Sequence, residues 1–281
     1  MLDSSAQLDA PEASRPSAIS GALPAAVSGR LPAVVSCPLP PAGNSSLPAA
    51  VSSPVPTAMS GLLALPPRRT VDVWLLPLDQ FAGPVLQPVL EDAERDLTAA
   101  DPARSAARVA TRIILARYCG VSPAQLRFAS GPFGKPELLD ADLTFSLSRR
   151  ENIALLAVAA EGSIGVDLEM RRPVPELDGI AAMLHPAEGE LLARTTAGER
   201  EDCFLRIWTR KEAALKALGI GLTNGLDEFC VTADQIFSPP LALRDIEIGH
   251  GYFAAVAAEP GVENARLLKF PSGETSGAVR R

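Results

Sequence analysis

Proline recurs in every unit of a loose eight-residue repeat across residues 1–67, which confines any packed fold to the rest of the chain. The units read Leu23-Pro-Ala-Ala-Val-Ser, Leu31-Pro-Ala-Val-Val-Ser, Leu47-Pro-Ala-Ala-Val-Ser and Val55-Pro-Thr-Ala-Met-Ser. Each proline fixes φ and removes a backbone donor, so neither a helix nor an internal strand can run through them. The short aliphatics between the prolines cannot build a core, and residues 1–67 are expected to form an extended, disordered tail to which no chemistry is assigned.

The remaining chain has the makings of a globular fold. Apolar residues make up 47% of the 281-residue sequence, an ordinary share for a packed domain. The net charge of −7 argues against nucleic acid or an anionic membrane as the principal partner. Any basic surface must be local, which suits a small anionic ligand. Cys37, Cys119, Cys203 and Cys230 show no C-x-x-C spacing and read as reduced core thiols, so a cytoplasmic location is expected. The longest clean apolar run, residues 153–160, has the length of a strand and cannot span a membrane. Met1-Leu-Asp-Ser-Ser has neither the basic nor the apolar region of a secretory signal. With His185 and His250 as the only histidines and no G-x-S-x-G, histidine-rich metal centres and most histidine-based triads are excluded.

Ordered structure is expected from Val71-Asp-Val-Trp-Leu-Leu, whose β-branched and aromatic residues predict a strand. Helices are predicted over residues 84–99 and 103–119, the second closed by Gly120. On the second helix Val109, Ile113 and Tyr118 form an apolar side, and Arg104, Arg108 and Arg112 recur along another. A loop at Gly131-Pro-Phe-Gly-Lys-Pro136 precedes a short strand over residues 143–147. Residues 153–160 and 164–169 predict a hairpin about Glu161-Gly162-Ser163. Helical segments follow over residues 175–184 and 186–194, then a long helix over 199–218, stopped by Gly219. Its apolar stripe is Phe204, Leu205, Trp208, Leu215 and Leu218. Strands over 246–248 and 252–258 complete an α+β fold. The repeated Ala-Val-Ala-Ala-Glu at 157–161 and 255–259 hints at two related halves.

Chemistry concentrates between one strand and the long helix. Residues two apart on a strand share a face, so Asp167 and Glu169 project together. Two adjacent carboxylates repel unless a cation or water screens them. On the helix Trp208, Glu212 and Lys216 share one stripe, with Trp208 expected to anchor it in the core. Asp167, Glu169 and Glu212 would then meet at one divalent ion, and an all-oxygen set with few protein ligands favours Mg²⁺. Each motif alone has a bland reading: a solvated strand end, or a helix salt bridge between Glu212 and Lys216. Lys135 sits on a stiff turn suited to a phosphate, although the loop lacks P-loop spacing. Arg104 and the pair Arg149-Arg150 are further candidate phosphate donors.

Together Phe133-Gly-Lys-Pro136, Phe145-Ser-Leu-Ser148, Ile164-Gly-Val-Asp-Leu-Glu169 and Trp208-Thr-Arg-Lys-Glu-Ala-Ala-Leu-Lys216 resemble the 4′-phosphopantetheinyl transferases of the two-lobed, Sfp type. The resemblance runs over residues 71–270 and leaves the tail outside. It implies two similar lobes about a pseudo-two-fold axis, each with a small antiparallel sheet and packed helices. Lobe boundaries are expected at 70–165 and 166–272, with a short tail over 273–281. It further implies coenzyme A in the cleft between lobes and Mg²⁺ on its pyrophosphate. Asp167, Glu169 and Glu212 are then the metal ligands, with Glu212 also the base, directly or through water. Lys216 would contact the pyrophosphate, Lys135 with Arg104 the 3′-phosphate region, and Ser148 the phosphates. The family usually has histidine after that serine, where this chain has Arg149; a shift of one would place Arg150 there. Arginine can grip phosphate bidentately but cannot serve as a base.

The implied reaction is transfer of 4′-phosphopantetheine from coenzyme A to a serine of an apo acyl or peptidyl carrier protein, releasing 3′,5′-ADP. A monomer meeting its carrier transiently is expected. Met183 and Leu184 could receive the carrier's helix, although both also read as core. The alternatives are a noncatalytic coenzyme A-binding module and a different Mg²⁺-dependent phosphohydrolase.

Overall fold

In the computed structural model of the protein, the described residues are 62–82, 89–91, 94–95, 101–131, 133–221 and 225–270. They all fall in one unit spanning Cys37–Arg281. The repeat-bearing tail up to residue 61 and the tail beyond 270 lie outside the described residues, as does most of the helix expected over 84–99. Of that helix only Glu94 and Arg95 are described as helical. Packed structure starts ahead of the expected Val71: Leu63 donates its N–H to the Arg117 carbonyl (3.0 Å), and Pro66 is buried.

Two four-stranded sheets form the frame. The first is built from β1 (Thr70–Pro77), β4 (Thr144–Arg150), β5 (Ile153–Ala159) and β10 (Asn264–Lys269), in the order β10-β1-β5-β4. The second comprises β6 (Ile164–Met170), β7 (Gln235–Phe237), β8 (Pro240–Asp245) and β9 (Tyr252–Ala258), in the order β6-β9-β8-β7. A small hairpin of β2 (Phe128–Ser130) and β3 (Pro136–Leu138) stands apart. Helix α1 (Pro102–Cys119) covers the outer face of the first sheet; α2 (Leu177–Ala181), α3 (Pro186–Arg194) and α4 (Arg200–Leu218) pack with the second. Gly120 and Gly219 end α1 and α4 in the left-handed conformation, the stops read from the sequence.

Period-two alternation assigns each strand face its neighbour. In β1, Trp74 and Leu76 join the core under α1, whereas Val71 and Val73 join a separate core between the sheets. In β6, Ile164, Val166 and Leu168 point into that inter-sheet core, which leaves Gly165, Asp167 and Glu169 on the α4 side. The layers therefore run helix, sheet, sheet, helix. The mixed α+β architecture expected from the sequence is present.

Several expectations change in detail. The turn at Glu161-Gly162-Ser163 joins two strands in different sheets, since β5 pairs with β1 and β4 while β6 pairs with β9. It is a crossing between lobes, because each strand offers one apolar face to the other sheet. The expected strand over 246–248 is replaced by β8 just upstream. The contiguous division at 166–272 also fails at its end, because β10 returns to pair in parallel with β1. A buried polar chain holds it there: Arg266 Nε donates to Asp72 Oδ1 (2.7 Å), and the Tyr118 hydroxyl donates to Asp72 Oδ2 (2.8 Å). Trp74 Nε1 in turn donates to the Tyr118 oxygen (2.9 Å). The repeated pentapeptide carries no symmetry, because Val158 faces the α1 core whereas its counterpart Val256 faces the inter-sheet core. The arginine row of α1 divides too. Arg104 is exposed, but Arg112 is buried, bonded to Glu91, Glu94 and the carbonyls of Pro123 and Leu126.

Candidate active site

Gly165 sets how close the strand and the helix come. A β-carbon there would stand 2.0 Å from the Ala213 carbonyl oxygen and 2.4 Å from the Ala217 nitrogen. Only the absence of a side chain lets α4 lie directly on β6. The same face of the strand then carries Asp167 and Glu169 toward Glu212 and Lys216 of the helix.

β6 is an edge strand, and its open side is closed by side chains rather than by another strand. Ser146 Oγ accepts from the Val166 N–H (3.1 Å), and Lys216 Nζ donates to the Val166 carbonyl (3.2 Å). Lys135 Nζ donates to the carbonyls of Ile164 and Lys216, both at 2.8 Å. Ser146, Ser148 and Arg150 lie on one face of β4, and each engages β6. Ser148 donates to Asp167 Oδ1 (2.9 Å), and the Arg150 guanidinium donates to Glu169 Oε1.

Beside this junction lies a cavity of about 510 Å³ lined by Asp167, Glu169, Glu212, Lys216, Ser148, Arg149 and Arg150. Val174, Ile180, Phe204 and Trp208 form an apolar wall of the same cavity. Trp208 stacks on the buried Phe204 with ring centroids 5.9 Å apart and packs against the core as expected, while its half-buried face also lines the pocket.

The carboxylates are held unequally. Asp167 Oδ1 accepts from both Ser148 and Lys216 Nζ (2.7 Å), whereas Asp167 Oδ2 is buried without a hydrogen bond. Glu169 Oε2 is likewise buried and without a hydrogen bond. Burial, reinforced by the charge on Asp167, pushes the Glu212 carboxyl up to about 7; Lys216 opposes the shift. Glu212 is therefore harder to ionise than an ordinary glutamate.

The sequence expectations fare differently here. Asp167, Glu169, Glu212, Lys216, Ser148 and Arg149 all line the one pocket. The expected convergence on one ion is not preassembled: among the described residues no three His, Cys, Asp or Glu side chains stand so as to hold a metal ion. The protein's own cations explain this, since Lys216 and Arg150 each hold one carboxylate. Mg²⁺ does not require a complete protein cage, because it is ordinarily bound by one or two carboxylates with water and substrate phosphates. The two orphaned oxygens fit that mode.

Lys135, expected near the 3′-phosphate region, is not among the residues lining this pocket. Its ammonium is bound to two main-chain carbonyls, and burial pulls its pKa down. Arg104 also lies outside the lining, on the exposed first turn of α1, where its backbone N–H is capped by Asp101. Asp101 also binds Arg149 Nη2 (2.5 Å), which turns that arginine toward α1. Arg150 is therefore the arginine that shares the Ser148 face. Its odd–even relation to Ser148 is legible in the sequence; Arg172 and the apolar wall are not, since both depend on the path of the chain after β6. Also unforeseen was a buried pair behind the site. Lys211 Nζ lies 3.0 Å from Glu188 Oε2, donates to the carbonyls of Leu226 and Phe229, and stands 4.3 Å from the Phe229 ring centroid.

One pocket thus combines cationic side chains, apolar side chains and buried acidic oxygens without hydrogen bonds, an arrangement able to take an anionic group together with an apolar one. Comparison with known proteins agrees. Residues 163–259 match the family model of the 4′-phosphopantetheinyl transferase superfamily. A Synechocystis protein assigned this transferase activity is 36% identical over 56% of this chain and 68% of its own. The 4′-phosphopantetheinyl transferase HetI of Nostoc is 37% identical over 55% and 70% respectively. The transferase Sfp of Bacillus subtilis is 28% identical over 53% and 70%. The chain belongs to the 4′-phosphopantetheinyl transferase family.

Proposed function

We propose that the protein transfers 4′-phosphopantetheine from coenzyme A to a serine hydroxyl of an apo acyl or peptidyl carrier protein, with Mg²⁺ as cofactor. The observation that carries this reading is the pair of buried, unpartnered oxygens, Asp167 Oδ2 and Glu169 Oε2, in the pocket that also holds Lys216 and Arg150. A buried carboxylate oxygen without a donor is costly, and a cation at the diphosphate is the group that would relieve both at once.

Asp167, Glu169 and Glu212 would hold the ion. When bound it neutralises charge on the diphosphate and on the departing phosphate. Glu212 accepts the proton from the carrier serine Oγ, directly or through water, and must be ionised to do so. The serine oxygen forms a bond to the pantetheine-side phosphorus as the bond to 3′,5′-ADP breaks, and the leaving phosphate oxygen takes the negative charge. Lys216 spends two donors on Asp167 and Val166, which leaves one for a phosphate oxygen. Ser148 holds Asp167 in place, and Arg149 and Arg150 supply further phosphate donors. The apolar wall suits the pantetheine arm or the carrier surface. Cys119, Cys203 and Cys230 are unpaired, in keeping with a reducing cytoplasm. Among the described residues no helix is long and apolar enough to cross a membrane.

The test is incubation with coenzyme A, Mg²⁺ and apo-carrier proteins, followed by intact-mass analysis. The carrier should gain one phosphopantetheine arm, and chelation should abolish the gain. No gain across several carriers would overturn the reading.

A further inference from the structure

Arginines grip carboxylates at several places in the protein, and the grips differ in kind. Arg112 holds Glu94 and also bonds the carbonyls of Pro123 and Leu126. Arg210 holds Asp245 and also bonds the carbonyls of Val231 and Ala233. Both guanidinium groups are buried and built into the main chain, so neither can leave without breaking structure. Arg150 is different, and so is Arg266 on Asp72, but Arg150 alone of the two lines the pocket. Its hydrogen bond among the described residues goes to Glu169 alone, and its side chain is 43% exposed against 2% for Glu169. It is the last residue of β4, next to the Glu151-Asn152 turn, so it can swing outward while Glu169 stays fixed.

The position of that contact matters. The guanidinium occupies Glu169 Oε1, feels the charges of Glu169, Asp167 and Glu212, and lies where a cation serving these carboxylates must arrive. A guanidinium on Oε1 cancels the negative charge that an ion at Oε2 would otherwise meet, so the two compete for one carboxylate. Arg172 Nη2 stands 3.9 Å from the other Glu169 oxygen, too far for a hydrogen bond, so it adds charge without blocking that oxygen.

We propose that Arg150 is an exchangeable counter-ion of the site. It neutralises Glu169 when no divalent ion is bound, then yields that carboxylate to the ion arriving at Oε2 and turns its planar fork to a phosphate oxygen of the substrate. The inference rests on the reading that Glu169 is a ligand of the ion. It gives Arg150 two opposed effects: competition with the ion in the free protein, and support of the diphosphate in the loaded one. A fixed structural pair would show neither.

The test is a titration of the full chain with Mn²⁺, followed by the paramagnetic signal of free Mn²⁺, with and without coenzyme A. Without coenzyme A, Arg150→Gln should bind Mn²⁺ about fivefold more tightly than wild type, the size of a half-exposed ion pair. With Mn²⁺ saturating, the same variant should bind coenzyme A more weakly. Arg150→Lys, which keeps the charge but not the fork, should lie between the two proteins in Mn²⁺ affinity. In the wild type the Arg150 side-chain nitrogen resonance should move on adding Mg²⁺, a readout that needs no variant to fold. Mn²⁺ binding that is abolished by Asp167→Asn but is no tighter in Arg150→Gln would overturn this inference alone. Mn²⁺ binding that Asp167→Asn leaves intact would overturn the placement of the ion, and the inference with it.

Discussion

Gly165 and Ala213 meet so closely that the carbonyl oxygen of Ala213 lies 2.0 Å from where a β-carbon on Gly165 would be. This contact joins the strand bearing two carboxylates to the helix bearing the third. The packing of an inert glycine thus decides whether the acidic groups can work together. Gly165→Ala would have to push a helix backbone aside, since the atoms it meets are main chain and cannot change rotamer. We expect a stability loss of at least about 3 kcal/mol in urea unfolding, with loss of transfer activity in the protein that remains folded. An alanine variant of normal stability and activity would show that the helix does not rest on this strand.

Glu212→Gln separates catalysis from binding. The amide cannot accept the serine proton, so turnover should fall by about a hundredfold or more. Affinity for coenzyme A measured without a divalent ion should change little, since Lys216 and the arginines remain. Full turnover in this variant would remove Glu212 from the proton path.

In chelator, Glu212 should leave a signature in stability against pH. Its carboxyl sits near 7 in the folded protein against an ordinary 4.5, because burial and Asp167 disfavour the charged form. A carboxyl raised on folding favours the folded state while protonated, so its contribution is full below about 4.5 and lost as pH climbs through about 7. Between about pH 5.5 and about pH 8, wild-type protein should therefore lose stability relative to Glu212→Gln. Thermal unfolding in both proteins checks this, and parallel curves would contradict it.

The buried pair of Lys211 and Glu188 is a matter of stability rather than chemistry. Lys211→Met leaves the Glu188 carboxylate buried beside an apolar chain and should cost about 3–5 kcal/mol. Replacing both, as Lys211→Met with Glu188→Leu, should recover much of that loss. Equal losses in the single and double variants, measured by denaturant unfolding, would mean that the charge pairing is immaterial.

Much of this site could be read in the sequence because it depends on local periodicity. Asp167 and Glu169 share a strand face, and Glu212 and Lys216 share a helix stripe, whatever the tertiary fold. The caps at Gly120 and Gly219 follow equally from local rules. What the sequence concealed depends on contacts between distant segments. Strand β10 has no clean alternation and is held by pairing with β1 and by Arg266 reaching Asp72. Lys135 looked like a phosphate ligand because its turn is stiff and exposed in sequence terms. Its ammonium is instead used to tie β6 to the end of α4. The choice between Arg149 and Arg150 needed β4 to run on to Arg150, past the expected end at residue 147, and the distinction between Arg112 and Arg104 needed the burial of α1.

The central claim is that Asp167, Glu169 and Glu212 serve one divalent ion at a bound diphosphate. The most direct measurement is an anomalous difference map from crystals grown with coenzyme A and Mn²⁺. The account predicts a single strong peak within about 2.5 Å of oxygens from these three side chains and of a diphosphate oxygen. A peak bound elsewhere, or a diphosphate seated in the pocket with no ion touching Asp167, would contradict it.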